Sequence, residues 1–283
     1  MALTQSEFDQ YRELGYVIID CPFLEELTER CLAAVDTVAI DPDEVGSCRI
    51  GNHARLKPLD PQSYWSELDH SLAFLQVCLH SEFVDIGRQA ARDDDIFFRN
   101  AGINDMAVGS GVQWHRDTKP EDEHMEFMHY FTGGRKEHGC LRVVPGSHEG
   151  PPDELHETIR RLRVEQGRPE KGKTFEPIED VELPGEVSLE LDPNQILFRR
   201  GSIFHSTHLN TAGHSRMMNH WGFRPSDATD HRFTWDDYLT DELIAELTQE
   251  QRDVLWLGRE FEITPSFQAE RARELGKIKW SIV

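Results

Sequence analysis

Two patterns of hydrophobic residues divide the chain. Before residue 96, hydrophobic residues recur every three or four positions, which is typical of amphipathic helices. From residue 96 to 223, short apolar or alternating runs are separated by Gly and Pro, which is typical of antiparallel strands. The patterns predict a helix that Thr4 or Ser6 caps and Gly15 ends, helices at 23–40, 71–91, 153–166 and 241–257, a loop at 51–70, and strands at 17–19, 96–98, 112–114, 127–131, 140–144, 196–198 and 217–223.

This order of elements predicts a mainly β protein with flanking helices (α+β), whose core is an antiparallel barrel or a jelly roll. We expect one domain over residues 1–283. Its parts are a helical N-terminal part at 1–95, a β core at about 96–225 and a C-terminal helical extension at 226–283. Residues 151–184 are hydrophilic and charge-dense, so they form an insertion that is either a lid or a solvated surface excursion.

Composition limits the class of protein. With 283 residues, of which 38% are hydrophobic, the chain can bury one substantial core. No apolar run approaches the roughly 20 residues of a membrane helix, and residues 1–10 are neither basic nor hydrophobic. The five cysteines are an odd number without CxxC spacing, so we expect reduced thiols. We expect a soluble, cytoplasmic protein.

Charge excludes some partners. The chain has 52 acidic and 30 basic residues and a formal net charge of -22. Such a charge repels phosphodiester backbones and anionic lipid surfaces, so nucleic acid and membranes are not expected partners. A solvated acidic surface explains the imbalance more simply than a site for cationic substrates does, and whole-chain charge does not locate a pocket.

The first candidate chemistry is a His-x-Asp motif at His115 and Asp117. In a strand, residues two apart project to the same face, so both side chains can meet one metal ion. In a chain with 14 histidines this spacing is common by chance, and the motif needs a further ligand. Two histidines and one carboxylate leave three coordination positions open, an arrangement typical of non-heme iron(II) oxygenases.

Three segments carry a resemblance to a known family. They are QWHRD at 113–117, GCLRVVPGSH at 139–148, and a distal His205 followed eleven residues later by Arg216. In their order, chemistry and spacing they resemble the phytanoyl-CoA dioxygenase-like family of Fe(II)/2-oxoglutarate-dependent oxygenases, over most of residues 3–225. The resemblance implies a double-stranded β-helix (jelly roll, cupin-like) core.

The resemblance also implies a chemistry and its residues. His115, Asp117 and His205 would be the metal ligands and catalytic residues for Fe(II), and Arg216 would bind the distal carboxylate of the co-substrate 2-oxoglutarate. With O2, the enzyme would hydroxylate or otherwise oxidise an unactivated C–H bond and release succinate and CO2. Around the co-substrate, the family pattern further implies Thr207 as a hydroxyl donor and Phe127 as a flanking aromatic, with Asn100 or Asn104 as a donor. The alternative for Thr207 is a role in stabilising a turn, and the alternative for Phe127 is a place in the core.

Four histidines lie near the sequence position of the distal ligand: His205, His208, His214 and His220. His205 keeps the family spacings of five residues to Asn210 and eleven to Arg216, and the others keep neither. Residues 206–208 and 193–195 depart from the glycines of the family pattern, which affects local turns. We interpret His208, His214 and His220 as surface or barrel-lining residues, with His220 the one nearest to substrate.

The remaining candidates are weaker. Residues 139–148 suit a strand and a tight Pro-Gly turn, so we interpret the segment as structural, with Arg142 and His148 as candidate substrate contacts. Arg199 and Arg200 either contact an anionic group or face solvent, and we prefer the interpretation that they face solvent.

The expected substrate is a small polar metabolite, amine-bearing compounds included, such as an amino acid derivative, an aminoglycoside-like compound or a phosphonate. The acidic balance and the absence of a basic cluster disfavour coenzyme A esters. Two other classes stay open. One is a cupin-like metalloenzyme that does not use 2-oxoglutarate, with Arg216 in a structural ion pair; the other is a non-catalytic ligand-binding jelly roll.

Overall fold

The computed structural model describes residues 2–37, 55–58, 68–106, 108–109, 111–150, 152–167, 181–228, 235, 239 and 241–259. The helices are α1 (Gln5–Leu14), α2 (Leu24–Thr37), α3 (Leu68–Cys78), α4 (Ser81–Ala91), α5 (Pro152–Glu165), α6 (Asp241–Glu246) and α7 (Gln249–Val254). The strands are β1 (Tyr16–Asp20), β2 (Arg55–Pro58), β3 (Ile96–Met106), β4 (Met125–Tyr130), β5 (Leu141–Val143), β6 (Val187–Leu189), β7 (Gln195–Arg200), β8 (His205–Thr207) and β9 (Arg216–Pro225).

The strands form two antiparallel sheets. The larger sheet has the order β1-β7-β4-β9-β3-β2, and the smaller has the order β6-β5-β8. A layer of buried apolar residues lies between them, with Tyr130 and Leu197 from the larger sheet and Leu141 and Leu189 from the smaller. Two antiparallel sheets around one apolar layer confirm the predicted jelly roll with flanking helices.

Helices cover the outer face of the larger sheet. Phe83 of α4 contacts Phe127 of β4 and Trp221 of β9, with ring centroids 5.3 and 5.2 Å apart. Side chains of α2, α3, α6 and α7 join the same core. Because β4 lies between this helical layer and the smaller sheet, all six of its residues are buried, and its even and odd positions face different surroundings.

The N-terminal helix and strand match the sequence pattern. Thr4 accepts a hydrogen bond from the Glu7 N–H and Glu7 bonds back to Thr4, which forms a capping box at the start of α1. Gly15 ends the helix at φ 85°, where its N–H donates to the Tyr11 carbonyl. The predicted first helix and the strand after it are therefore confirmed.

Two predicted helices are interrupted. The helix predicted at 71–91 is two helices, α3 and α4, because His80 caps the second one and accepts a hydrogen bond from the Glu82 N–H. The helix predicted at 241–257 is α6 and α7. Thr248 and Gln251 form a capping box there, and Thr248-x-x-Gln251 is a start signal that the sequence pattern already contained.

Other boundaries differ as well. Part of the predicted loop at 51–70 is strand β2, which pairs with β3, and helix α3 already begins at Leu68. Strands β1 and β2 thus come from the part predicted to be helical, 1–95, and both belong to the larger sheet. Helix α2 ends at Thr37, and residues 38–40 of its predicted range lie outside the described residues.

Near the site, the predicted strand at 112–114 does not form. The Val112 N–H donates to the Thr207 hydroxyl at 2.6 Å rather than to a backbone carbonyl, so a side chain replaces a bond of the ladder. Strands β6 and β8 have three residues each and were not predicted, because runs this short carry too little alternation. Among the described helices, none is both long and apolar enough to cross a membrane.

Gly15 offers a stability test of the α1 to β1 junction. A Cβ at residue 15 would lie 2.5 Å from His148 Nδ1 and would also occupy the left-handed region. Gly185 has a similar φ of 78°, and nothing lies within 4 Å of the position that a Cβ would take there. We expect Gly15→Ala to lower the free energy of unfolding by about 2–4 kcal/mol and Gly185→Ala by only about 1 kcal/mol. Equal losses in urea denaturation would show that His148 does not restrict this junction.

Candidate metal centre

His115 and His205 are brought together by backbone pairing. The His115 N–H donates to the His205 carbonyl at 2.9 Å, and the His205 N–H donates to the His115 carbonyl at 3.0 Å. The two residues form an isolated antiparallel bridge at the start of β8. Their rings are 4.2 Å apart between centroids. Residues that are distant in the chain therefore present their imidazoles to the same space.

Each imidazole has one nitrogen fixed by the backbone. His115 Nδ1 lies 2.7 Å from the Gln113 carbonyl, and His205 Nδ1 lies 2.9 Å from the Ile203 carbonyl. Because a carbonyl accepts a hydrogen bond, these contacts place a proton on Nδ1 of each ring. The Nε2 lone pairs of both histidines are then available to a metal ion.

The carboxylate of Asp117 lies beside both Nε2 atoms. It is 3.2 Å from His115 Nε2 through Oδ1 and 3.5 Å from His205 Nε2 through Oδ2. The Asp117 N–H donates to the Gly201 carbonyl at 3.0 Å, which fixes the backbone before the carboxylate. One donor atom from each of the three residues lies within 4.8 Å of the others.

Arg199 holds the Asp117 carboxylate from behind. Its guanidinium donates to Asp117 Oδ2 at 2.6 Å and also pairs with the carboxylate of Glu126. Both Arg199 and Glu126 are buried. The interpretation of Arg199 as a solvent-facing residue is wrong, because alternation along β7 turns it inward while Arg200 contacts the ring of Tyr11.

The charges of this group set the pKa values. Burial alone would raise the pKa of Asp117, but Arg199 and His205 hold it well below its ordinary value. Burial raises the pKa of Glu126 to about 7 against the opposing effect of Arg199. Burial lowers the pKa of His205 well below its ordinary value, and Arg199 lowers it further. Asp117 is thus ionised and His205 neutral, which are the states that metal ligands require.

These residues fit a divalent transition metal. Two imidazole nitrogens and one carboxylate oxygen form the donor set that iron(II) takes in facial-triad enzymes, and the set leaves coordination positions for other ligands. The side chain of Asp117 keeps 30% of its surface exposed, so the donor set opens onto a cavity and is not sealed in the core.

Arg216 lies buried at the start of β9 without an acidic partner among the described residues. Its guanidinium carbon lies 4.4 Å from the centroid of the Tyr130 ring, and one nitrogen lies 3.5 Å from the sulfur of Met106. The Nε and Nη1 atoms have no hydrogen-bond acceptor among the residues that the structure describes. Burying a cation in this state is unfavourable unless an anion binds there, so the arrangement fits a carboxylate ligand.

The other predicted co-substrate residues are placed differently. Thr207 is buried on the same face of β8 as His205, and its hydroxyl accepts the Val112 N–H, which leaves the hydroxyl proton to donate. Phe127 does not reach the site, because it packs in the helical core and stacks on Trp221. Asn100 and Asn104 lie in β3, and their side chains fall outside what the structure describes.

The remaining histidines are separate from the triad. His208 Nε2 lies 2.7 Å from the Ser188 hydroxyl, and His214 is exposed and contacts His138. His220 lies on β9 in the interior, and burial lowers its pKa to about 4. Its pKa also responds to the charges of Asp117 and Arg199, so His220 lies near the triad.

Arg142 and His148, the predicted substrate contacts, are structural. Arg142 is fully buried, pairs with Glu186 at 3.2 Å and lies over the ring of Trp114. His148 is buried against Gly15, and its Nε2 lies 3.1 Å from the Arg12 carbonyl. Both side chains join segments that are distant in the chain and do not face the triad.

An open cavity of about 500 Å³ lies next to the triad. His115 and Asp117 form part of its wall, and His156 of α5 forms another part. The predicted insertion helix therefore borders the cavity, with His156 packed edge-on against Phe204. A cavity of this size accommodates a small metabolite.

Sequence reasoning did not find Glu126 or Tyr130. Both lie on the inward face of β4, at even positions that alternate with the core positions Met125 and Phe127. A period of two along residues 125–130 would have separated the inner face from the outer face. It could not have shown which strand lies opposite.

The comparisons with known proteins agree with this architecture. The model of the family Phytanoyl-CoA dioxygenase (PhyH) matches residues 11–218. Comparison with the curated proteins finds no match.

Solved structures share the fold at low sequence identity. HygX from Streptomyces hygroscopicus in its apo form is 14% identical, with a TM-score of 0.60, over 86% of this chain and 94% of that one. The carbocyclase SnoK from nogalamycin biosynthesis, described as non-heme and alpha ketoglutarate dependent, is 18% identical, with a TM-score of 0.58, over 87% of this chain and 91% of that one. The likeness to these structures shows a common jelly-roll fold, and the family match, which spans more than half of the sequence, shows that the chain belongs to the phytanoyl-CoA dioxygenase (PhyH) family.

Proposed function

We propose that the protein is an Fe(II)- and 2-oxoglutarate-dependent dioxygenase. In this proposal it hydroxylates an unactivated C–H bond of a small polar metabolite and releases succinate and CO2. The observation that carries the proposal is the convergence of His115, Asp117 and His205 in the same interior as Arg216, a buried cation without an acidic partner among the described residues. HygX, which shares the fold, has been crystallised with iron, and with nickel and 2-oxoglutarate.

Each residue has a separate task in this proposal. His115, Asp117 and His205 hold the metal, and Arg216 binds the distal carboxylate of 2-oxoglutarate with two parallel N–H donors. Thr207 donates its hydroxyl proton to the same carboxylate. Iron(II), when bound, supplies the redox chemistry that activates O2 and oxidises 2-oxoglutarate. The cavity next to the triad holds the substrate and orients one C–H bond.

Hydroxylation is our preferred outcome among the reactions that such a site supports. The structural relatives include SnoK, described as a carbocyclase, and SnoN, described as an epimerase. The presence of Asp117 favours oxygen insertion over halogenation, because related halogenases carry a small residue there that leaves room for chloride. Amine-bearing metabolites belong to the proposed substrate range, and HygX has been crystallised with hygromycin B.

The two alternative functions are less well supported. A metalloenzyme that does not use 2-oxoglutarate would use Arg216 in a structural ion pair, and Arg216 has no such pair among the described residues. A non-catalytic jelly roll would not need an ionised Asp117 beside two imidazoles with fixed tautomers.

We also propose that the chain acts as one oxygenase domain over residues 1–283 and that the reaction takes place in the cytoplasm. The helices and the larger sheet share one core, which supports the single domain. Among the described cysteines, all four are unpaired and buried, which supports a reducing compartment.

The metal assignment can be tested with ligand variants. We expect His115→Ala and Asp117→Ala to lose succinate formation and tight Co(II) binding, because two protein donors cannot hold the ion at the affinity of three. His214→Ala removes an exposed histidine outside the triad and should behave as wild type. Retained turnover in either ligand variant would refute the assignment.

Arg216 can be tested through the kinetics of 2-oxoglutarate. Loss of a bidentate, charge-assisted contact should raise the KM for 2-oxoglutarate in Arg216→Ala by roughly 10- to 100-fold, with a smaller change in kcat. The KM of Arg216→Lys should lie between those of the wild type and Arg216→Ala, since lysine keeps the charge but lacks the planar fork of guanidinium donors. An unchanged KM in Arg216→Ala would exclude the clamp role.

Arg199 can be tested as the residue that positions Asp117. We expect Arg199→Met to weaken Co(II) binding by about 10- to 100-fold, because the Asp117 carboxylate loses its charged partner. Arg200→Met removes the neighbouring arginine, which faces the other side of β7, and should keep the wild-type Kd. The double variant Arg199→Met/Glu126→Gln also removes the buried negative charge that Arg199→Met leaves on Glu126. It replaces the single variant if that variant unfolds. Equal Kd values in all of these proteins would contradict the positioning role.

A further inference from the structure

The cavity beside the triad is lined mainly by positive charge. Arg99, Arg116, Lys119 and Arg224 line it, and the acidic lining residues among those described are Asp117, a proposed metal ligand, and Asp122. Across the whole chain acidic residues outnumber basic ones, 52 to 30. The balance at the cavity is thus the reverse of the balance over the chain.

The backbone places two of these arginines on neighbouring strands. Arg224 lies on β9, and Arg99 lies on β3 where the register with β9 shifts: Phe98 pairs with Phe223, and Asn100 pairs with Gly222. A β-bulge of this kind inserts one extra residue into a strand and redirects its side chain. Arg99 is that residue, and the bulge brings it into the cavity wall beside Arg224.

The other two basic residues of the cavity, Arg116 and Lys119, differ in exposure. Arg116 donates to the carbonyl of Gly150 at 3.0 Å and to the carbonyl of Ser147, and both acceptors are neutral, so its charge persists. Lys119 is exposed at the mouth of the cavity. An exposed lysine attracts an anion as it approaches, and guanidinium groups in the cavity wall bind it at closer range.

Arg99 and Arg224 also lie near His124, behind the cavity wall. Burial lowers the pKa of His124 well below its ordinary value, and the charges of Arg99 and Arg224 lower it further. The shift places Arg99 and Arg224 close to His124, whose Nε2 lies 3.6 Å from the carboxylate of Glu126.

We propose that the substrate carries an anionic group, a carboxylate, phosphonate or phosphate monoester, which binds at Arg99, Lys119 and Arg224. This inference rests on the proposed function, because it treats the cavity as the substrate site of that reaction. It depends on the summed charge of the lining residues. The inference includes amino acids and phosphonates as substrates, because they carry an anionic group, and excludes purely cationic amines, which do not.

The size of the cavity distinguishes between sources of the anion. A volume of about 500 Å³ suits a small acid. A coenzyme A ester would leave most of its nucleotide outside. We therefore favour a small free acid, and coenzyme A forms a separate arm of the test.

The test uses the full-length Co(II)-loaded protein with saturating 2-oxoglutarate under argon, so that the metal and Arg216 are occupied. Isothermal titration compares phenyl phosphate with phenol, and phenylalanine with phenylalaninamide, with coenzyme A and hygromycin B as further probes. We expect the anionic member of each pair to bind at least about tenfold more tightly, and the difference to shrink at high salt.

Charge-reversal variants assign the binding to this cavity. Lys119→Glu should weaken phenyl phosphate binding by about tenfold, whereas Lys136→Glu makes the same charge change at an exposed lysine outside the cavity lining and should leave binding unchanged. Equal binding of anionic and neutral probes, tighter binding of hygromycin B, or equal effects of the two variants would overturn the inference. Tighter binding of coenzyme A than of the small acids would overturn the preference for a small acid.

Failure of the proposed function is measured separately. It would appear as absence of 2-oxoglutarate binding to the Co(II)-loaded protein before any probe is added. The comparison of Lys119→Glu with Lys136→Glu reports on the cavity in either case.

Discussion

The site depends on the backbone pairing of His115 with His205. Two reciprocal N–H to carbonyl bonds join a loop that follows β3 to the first residue of β8. In an antiparallel pair a slip of one residue would turn one imidazole to the opposite face. The pairing therefore fixes both the separation of the two rings and their common direction, and Asp117 follows from it because its N–H is held by Gly201 in the turn after β7.

This geometry concentrates charge in a buried place. Asp117 and Glu126 would repel one another, and Arg199 between them converts the repulsion into two attractive contacts. The group of three still carries a net negative charge when both carboxyls are ionised. Such a group is unfavourable to bury without a further cation, which is a physical reason for this interior to bind a divalent metal.

The sequence predicts the fold well where a local period is strong. The cap at Thr4 and the terminal glycine of α1 appear as expected, and so do the apolar or alternating runs of β4, β7 and β9. The three proposed ligands were identified by family spacing, and the structure brings them together. The three-residue strands β6 and β8 were not predicted, because their pairing depends on distant partners.

Which face a residue occupies was harder to predict than which element it joins. Arg199 and Phe127 were each assigned to the wrong surroundings, the first to solvent and the second to the site. The first error comes from judging a side chain by its type, and the second from transferring a family position without knowing which face of β4 it occupies. An arginine is most often exposed, but alternation along β7 turns Arg199 to the same interior as Leu197, where Asp117 can bind it.

Net charge is limited in a similar way, because a value for the whole chain does not show which face or cavity carries the charges. A net charge of -22 describes the surface of this protein, which is why it excludes nucleic acid as an expected partner. It does not describe the cavity, because a few arginines on adjacent strands are enough to reverse the sign there. The bulge at Arg99 shows how this happens, since one extra residue in a strand changes the direction of a charge without changing the composition. In an acidic protein, such an inward cluster of positive charge differs in sign from the surrounding surface. Most of the surface therefore repels an anion, and the cavity attracts it.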